Sequence, residues 1–181
     1  LALAPTTSTI NGPGLLTNGP GVSTAISSVT VNAPLTNHGT WIVRATSAQG
    51  GTFTSGTGST LRVEGNGTFG TATLTVANGF TNNGAIELTN TSVNQSATLN
   101  VTAGTLVNPA GRTIAALAGA GGGSRTLGLE LANAGTVTID QSATLGRSGA
   151  QGSNSGTITL TTGDLTISGS GVTPTFTNTG A

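Results

Sequence analysis

Short runs of alternating apolar and polar residues recur along this chain, each bounded by Gly, Asn or Ser. The most regular follow one phrase: an apolar residue, any residue, Asn, any residue, Gly, Thr or Ala, then alternating apolar positions. It reads Leu35-Thr36-Asn37-His38-Gly39-Thr40-Trp41-Ile42-Val43, and again Phe80-Thr81-Asn82-Asn83-Gly84-Ala85-Ile86-Glu87-Leu88. It returns as Leu131-Ala132-Asn133-Ala134-Gly135-Thr136-Val137-Thr138-Ile139 and as Gly152-Ser153-Asn154-Ser155-Gly156-Thr157-Ile158-Thr159-Leu160. A looser copy from Leu106 to Ile114 carries one extra residue, and Phe176-Thr177-Asn178-Thr179-Gly180 is a partial one. A second family of runs lies between them: Ala72-Thr73-Leu74-Thr75-Val76, Ala97-Thr98-Leu99-Asn100-Val101, Arg125-Thr126-Leu127-Gly128-Leu129, Ala143-Thr144-Leu145 and Asp164-Leu165-Thr166-Ile167. A period of two buries one face of a strand and leaves the other wet, so these runs predict β-strands. Gly and Thr dominate and no 3.6-residue apolar stripe is sustained, which disfavours helix.

Repetition decides the architecture. The motif Asn residues Asn37, Asn82, Asn108, Asn133, Asn154 and Asn178 are separated by 45, 26, 25, 21 and 24 residues, the first interval being about two of the others. A partial match, Leu16-Thr17-Asn18-Gly19, precedes Asn37 by 19. A loose period of 19–26 residues holding three short strands predicts an all-β, single-stranded parallel β-helix, or solenoid. About eight coils, each about 4.8 Å above the last, give a rod of about 35–40 Å. Residues 35–181 are expected to form the β-helix, as part of a larger array or filament. Residues 1–34 are expected to hold an irregular segment and the first coil, as a cap or subunit contact.

Trp41, Ile86, Val137 and Ile158 should form one inward column, with Val43, Leu88, Ile139 and Leu160 beside it. Leu74, Leu99, Leu127, Leu145 and Leu165 should form another. Glu87, Thr138 and Thr159, one step out of phase, should face solvent. The six motif Asn residues predict a structural ladder in which each amide bonds its counterparts above and below. Asn also tolerates the left-handed backbone of a corner, and the Gly two places later would serve a second corner with positive φ.

Composition narrows the partners. Five Arg and no Lys balance five carboxylates at net zero, which argues against a nucleic-acid footprint or attraction to anionic lipid. The regular Val, Ile and Leu oppose disorder despite 30 Gly residues. There is no Cys, hence no disulfide or thiolate chemistry. No apolar run approaches the roughly 20 residues of a membrane helix, so no membrane insertion is expected of this segment. The Ala-x-Ala within Leu1-Ala2-Leu3-Ala4-Pro5 is read as the tail of a removed signal peptide, in a processed chain or an excerpt of a longer one.

The Asn-x-Gly-Thr-Ile copies, over about residues 16–181, resemble the right-handed parallel β-helices of bacterial adhesins, autotransporter passengers and filamentous-haemagglutinin-like surface proteins. The resemblance implies secretion to the bacterial cell surface and a role in adhesion, matrix or surface display. The expected partners are host or surface glycans, or further copies of the chain stacked end to end on the unpaired strand edges of an open solenoid.

Candidate chemistry is sparse. His38 is the only histidine and sits at a variable place in the motif, so it is read as an exposed turn residue; zinc sites and Ser-His relays lack a second ligand or base. Carbohydrate-active enzymes also use parallel β-helices and need paired carboxylates. Asp140 and Asp164, 24 residues apart, are the one tempting pair, but they occupy different places in the repeat. No catalytic residue, cofactor or metal is therefore expected. Gly121-Gly122-Gly123 lacks the Asp of calcium-binding repeats and is read as a flexible loop leaving the rod. Thr73/Thr75, Thr136/Thr138, Thr157/Thr159 and Thr175/Thr177 raise an alternative, ice binding by outward Thr rows, although matched rows break at Ile42, Glu87 and Asn100. Phe80 and Phe176 precede the motif Asn and are read as core. A stiff structural or adhesive rod is the leading expectation.

Overall fold

The computed structural model describes residues 5–171 and 174–181. Leu1–Ala4, with the expected signal-peptide remnant, lie outside the described residues. The strands are, in chain order, β1 (Thr6–Ile10), β2 (Leu16–Asn18), β3 (Ser23–Val31), β4 (Leu35–Asn37), β5 (Thr40–Arg44), β6 (Thr46–Gln49), β7 (Phe53–Ser55), β8 (Thr60–Gly65), β9 (Ala72–Asn78) and β10 (Ala85–Asn90). They continue as β11 (Ala97–Asn108), β12 (Thr113–Ala116), β13 (Arg125–Asn133), β14 (Thr136–Ile139), β15 (Ala143–Leu145), β16 (Gln151–Asn154), β17 (Thr157–Leu160), β18 (Leu165–Ile167) and β19 (Thr175–Asn178). Every strand pairing is parallel, and the chain winds as a parallel β-solenoid.

Each coil visits three faces in turn. The first carries the Leu-Thr-Asn strands β2 and β4 and the Phe-Thr-Ser strand β7, then the ends of β11 and β13, β16 and β19. The second stacks the first half of β3 under β5, β8, β10, β12, β14 and β17. The third stacks β1, the second half of β3, β6, β9, β11, β13, β15 and β18. β3 bends round the corner between the second and third faces, with Ser28 at φ 57° and Ala45 one coil above at φ 52°. Three strand segments per coil hold, but β11 and β13 each run two of them together through a corner; Gly104 turns β11 at φ 71°. Residues 5–34 contain β1, β2 and β3, so coils begin ahead of Leu35.

The inward columns follow from this register. On the second face Trp41, Leu61, Ile86, Ile114, Val137 and Ile158 stack in order, beside Val43, Val63, Leu88, Ala116, Ile139 and Leu160. On the third, Leu74, Leu99, Leu127 and Leu145 stack, but their next neighbour is Ile167 rather than Leu165. Leu165 continues the column of Ala72, Ala97, Arg125 and Ala143 instead. Asp164-Leu165-Thr166-Ile167 alternates equally well in both alignments, and backbone pairing chooses between them. On the first face Phe53 and Phe80 meet edge to face, their centroids 4.9 Å apart. A core running the length of the stack is what makes strands of three to six residues stable.

Candidate functional site

The feature that recurs in all coils but one is the amide at the corner between the first and second faces. In Leu35-Thr36-Asn37 the burial alternates, so Asn37 points inward with Leu35. Asn37, Asn82 and Asn108 are wholly buried, Asn133 and Asn154 nearly so, and Asn178 is exposed. Asn82 Nδ2 donates to Asn108 Oδ1 (2.9 Å), Asn108 to Asn133 (2.7 Å), Asn133 to Asn154 (2.6 Å) and Asn154 to Asn178 (2.7 Å). All the amides point the same way. A second hydrogen of Asn82, Asn108 and Asn133 reaches a carbonyl of the next coil, as Asn82 Nδ2 does at Thr113 O (3.0 Å), whereas Asn154 turns its second hydrogen to Gly156 O in its own turn. The acceptor oxygens also cap the turn: Gly39 N–H bonds Asn37 Oδ1 and Gly84 N–H bonds Asn82 Oδ1.

The chain of amides is interrupted once. Asn37 pairs downward with Asn18, whose Nδ2 donates to it at 2.7 Å, and has no bond to Asn82. Between them lies a coil whose first-face strand reads Phe53-Thr54-Ser55, with Ser55 directly above Asn37. Ser55 Oγ reaches only Ser59 Oγ and the Asn83 N–H. The long first interval thus contains one coil in which Ser stands for Asn. The run Phe53-Thr54-Ser55-Gly56 carried the signal, with the apolar-x-polar-Gly order intact in compressed form. At the lower end, Thr24 Oγ1 donates to Asn18 Oδ1 (2.9 Å) beneath Trp41.

The motif glycines do a different job from the one expected. Gly39, Gly84, Gly135, Gly156 and Gly180 are not among the residues with positive φ. A Cβ on Gly39 would press into the Val22 and Gly19 carbonyls, on Gly84 into Ser59, on Gly135 into Arg112 and on Gly156 into Gly135 itself. Close approach of the coil below excludes a side chain there. The looser copy is the exception: Gly111 has φ 76° and open space around its Cβ position, so here the glycine makes the turn.

Charge is held in two places. Arg44 Nη2 lies 2.7 Å from Glu64 Oε1, and Arg62 Nη2 lies 2.7 Å from Glu87 Oε2, forming a row on the second face. Near the corner of the third and first faces, Glu130 accepts from the Thr105 hydroxyl and the Gln151 N–H, with Arg147 at 3.8 Å. The Thr105 bond first and the Gln151 N–H next hold the Glu130 carboxyl below its usual range against the opposing effect of burial, with a smaller contribution from the Arg147 charge.

Arg125 is fully buried and has no carboxylate partner among the described residues. Its guanidinium donates to the carbonyls of Leu117 (3.0 Å), Ala118 (3.2 Å) and Gln95 (3.2 Å), and burial lowers its pKa. The Gly-rich segment before it does not leave the rod. Asn90 Nδ2 donates to Gly121 O and Gly122 O, Ala120 N–H returns to Asn90 Oδ1, and Asn94 N–H bonds Gly121 O. Positive φ at Gly119, Gly121, Gly122 and Gly123 lets the backbone fold back against the corner below.

His38 is exposed at its turn. Asp140 and Asp164 are not vertical neighbours: Thr162 lies over Asp140, with its hydroxyl on the Asp140 carbonyl, while the Asp164 N–H bonds Ser142 Oγ. Among the described residues no group of three His, Cys, Asp or Glu is placed to hold a metal ion. Comparison with protein-family models, curated proteins and solved structures finds nothing that matches this chain.

Proposed function

We propose that this chain is a structural and adhesive segment of a bacterial surface protein or fibre, displayed outside the cell. The observation that carries the reading is the continuous, in-register core, with columns such as Trp41 to Ile158 running through the stack. Parallel pairing along the axis and a buried amide ladder make a stiff element that resists bending and local opening. Its outward residues are mostly Thr, Ser, Asn and Ala, a surface of low charge suited to contact with neutral glycans or with further coils. The upper coil presents Leu160 and Ile167, 56% and 48% accessible, beside strand edges that a further coil, of the same chain or of another copy, would pair.

Two measurements test it. Electron microscopy of the purified chain over a range of concentrations should find rods that lengthen end to end. Beads coated with the chain should adhere to bacterial or host glycan surfaces. Dispersed monomers at every concentration, with beads no stickier than uncoated ones, would overturn the reading.

A further inference from the structure

The third face carries a column of six threonines that no element among the described residues covers. Thr46 pairs with Thr73, Thr73 with Thr98, Thr98 with Thr126, Thr126 with Thr144, and Thr144 with Thr166. The four central threonines alternate with buried neighbours, Ala72 and Leu74 around Thr73, Ala97 and Leu99 around Thr98, Arg125 and Leu127 around Thr126, and Ala143 and Leu145 around Thr144, so these point outward. Strand pairing sets the repeat at about 4.8 Å, and five steps give a row about 24 Å long. The β-branched side chain has few rotamers on a strand, so every coil offers one hydroxyl and one methyl in nearly the same orientation.

The surroundings of the row are as informative as the row. The column beside it holds Ala48, Thr75, Asn100 and Gly128, with no long side chain to rise above the threonines. Asn100, which breaks the Thr75 row, leaves the Thr73 row intact. No charged residue lies in either column; the Arg44, Arg62, Glu64 and Glu87 network stands on the second face. A flat, neutral strip of hydroxyls and methyls is complementary in charge to an uncharged partner and repels or attracts no ion. Its single repeat distance matches only a partner that is itself periodic. The interval lies close to the repeat of oxygens along a row of the ice lattice. Methyl groups between the hydroxyls hold water in cages compatible with that lattice rather than in a bulk-like shell.

From these features we infer that the third face is an ice-binding surface, its ligand the ordered water of a crystal face and its contacts Thr73, Thr98, Thr126 and Thr144 at the centre. This does not depend on the chain's being a surface rod; a monomer binds ice equally well.

Thermal hysteresis and inhibition of ice recrystallisation, measured on the purified chain, test the assignment. The native chain should show both. Thr98→Tyr and Thr126→Tyr, which break the flat strip at mid-column, should lose them, whereas Thr113→Tyr on the exposed second face should not. Thr98→Val, close in shape and lacking only the hydroxyl, guards against a folding defect in the tyrosine variants, as do unchanged circular dichroism and melting temperature; it should weaken the activity. Absence of hysteresis in the native chain overturns the proposal, and so does equal loss from Thr113→Tyr. Adsorption to microcrystalline cellulose or chitin without activity on ice reassigns the face to a polysaccharide lattice and overturns the choice of ligand.

Discussion

At the scale of single residues, the buried amides are worth most where both neighbours are present. Asn108 accepts from Asn82 and donates to Asn133 in a site closed to water. Asn108→Ala deletes two bonds and leaves a donor below and an acceptor above short of partners, which should cost about 2–4 kcal/mol in urea unfolding. Asn178 is exposed and only accepts, so Asn178→Ala should cost under about 0.5 kcal/mol. Equal effects would mean the ladder is incidental to stability. Glu130 gives a pH signature. Its folded pKa lies below the unfolded value, so its contribution is fully present above the ordinary carboxylate range and is lost as pH falls through the depressed value. Melting curves of the native chain and Glu130→Gln should therefore differ at pH 7 and converge in strong acid. Convergence fails if the Thr105 and Gln151 bonds do not favour the ionised form.

At the scale of elements, the glycines separate two ways a turn can demand a missing side chain. Gly84 is pressed against the Ser59 backbone, and Gly84→Ala should cost about 2–3 kcal/mol because the coil below cannot yield. Gly111 is open but left-handed, and Gly111→Ala should cost about 1 kcal/mol. The same pair shows what local sequence can and cannot convey. The Asn-x-Gly phrase marked the strand boundaries of the first and second faces, because alternation and turn residues are local. That the Gly is there for the neighbouring coil is a tertiary fact with no local signature. The corners between the second and third faces were harder still. They differ in length from coil to coil, and the segment before Arg125 looked like a free loop. Its anchors, Asn90 and the Arg125 guanidinium, lie one coil below and just after it. Arg125 lies between Ala97 below and Ala143 above in its column, where small neighbours leave room for the side chain to run beneath the corner. Arg125→Met keeps much of that volume and removes the donors. It should leave the strands intact yet speed hydrogen exchange and proteolysis across residues 117–124; unchanged rates would show that Asn90 alone holds the loop.

At the scale of the whole molecule, nearly every contact joins a coil to the one above or below, so stability is a sum of coil and interface terms rather than one indivisible quantity. The eight-coil estimate survived one coil without Asn because Leu, Ile and Val columns continue through it: Leu61 and Val63 carry the second face across the break at Ser55. The two ends are unlike. Below, Thr24 bonds Asn18 and Trp41 and Ile26 are almost inaccessible, with Ile10 and Leu16 the core residues left partly buried. Above, Ile158, Leu165 and Phe176 are only partly buried, and Leu160 and Ile167 are half exposed. Opening should therefore begin at the upper coil and move downward one interface at a time. Hydrogen exchange read by strand should rank β17, β18 and β19 fastest, β14 and β15 next, and β8 to β11 slowest, with protection falling in steps rather than smoothly. The Asn ladder sharpens each step, because releasing one coil leaves the amide below it without an acceptor until that coil opens too. Uniform protection across all coils would instead describe a two-state globule, and the one-dimensional account of this solenoid would fail.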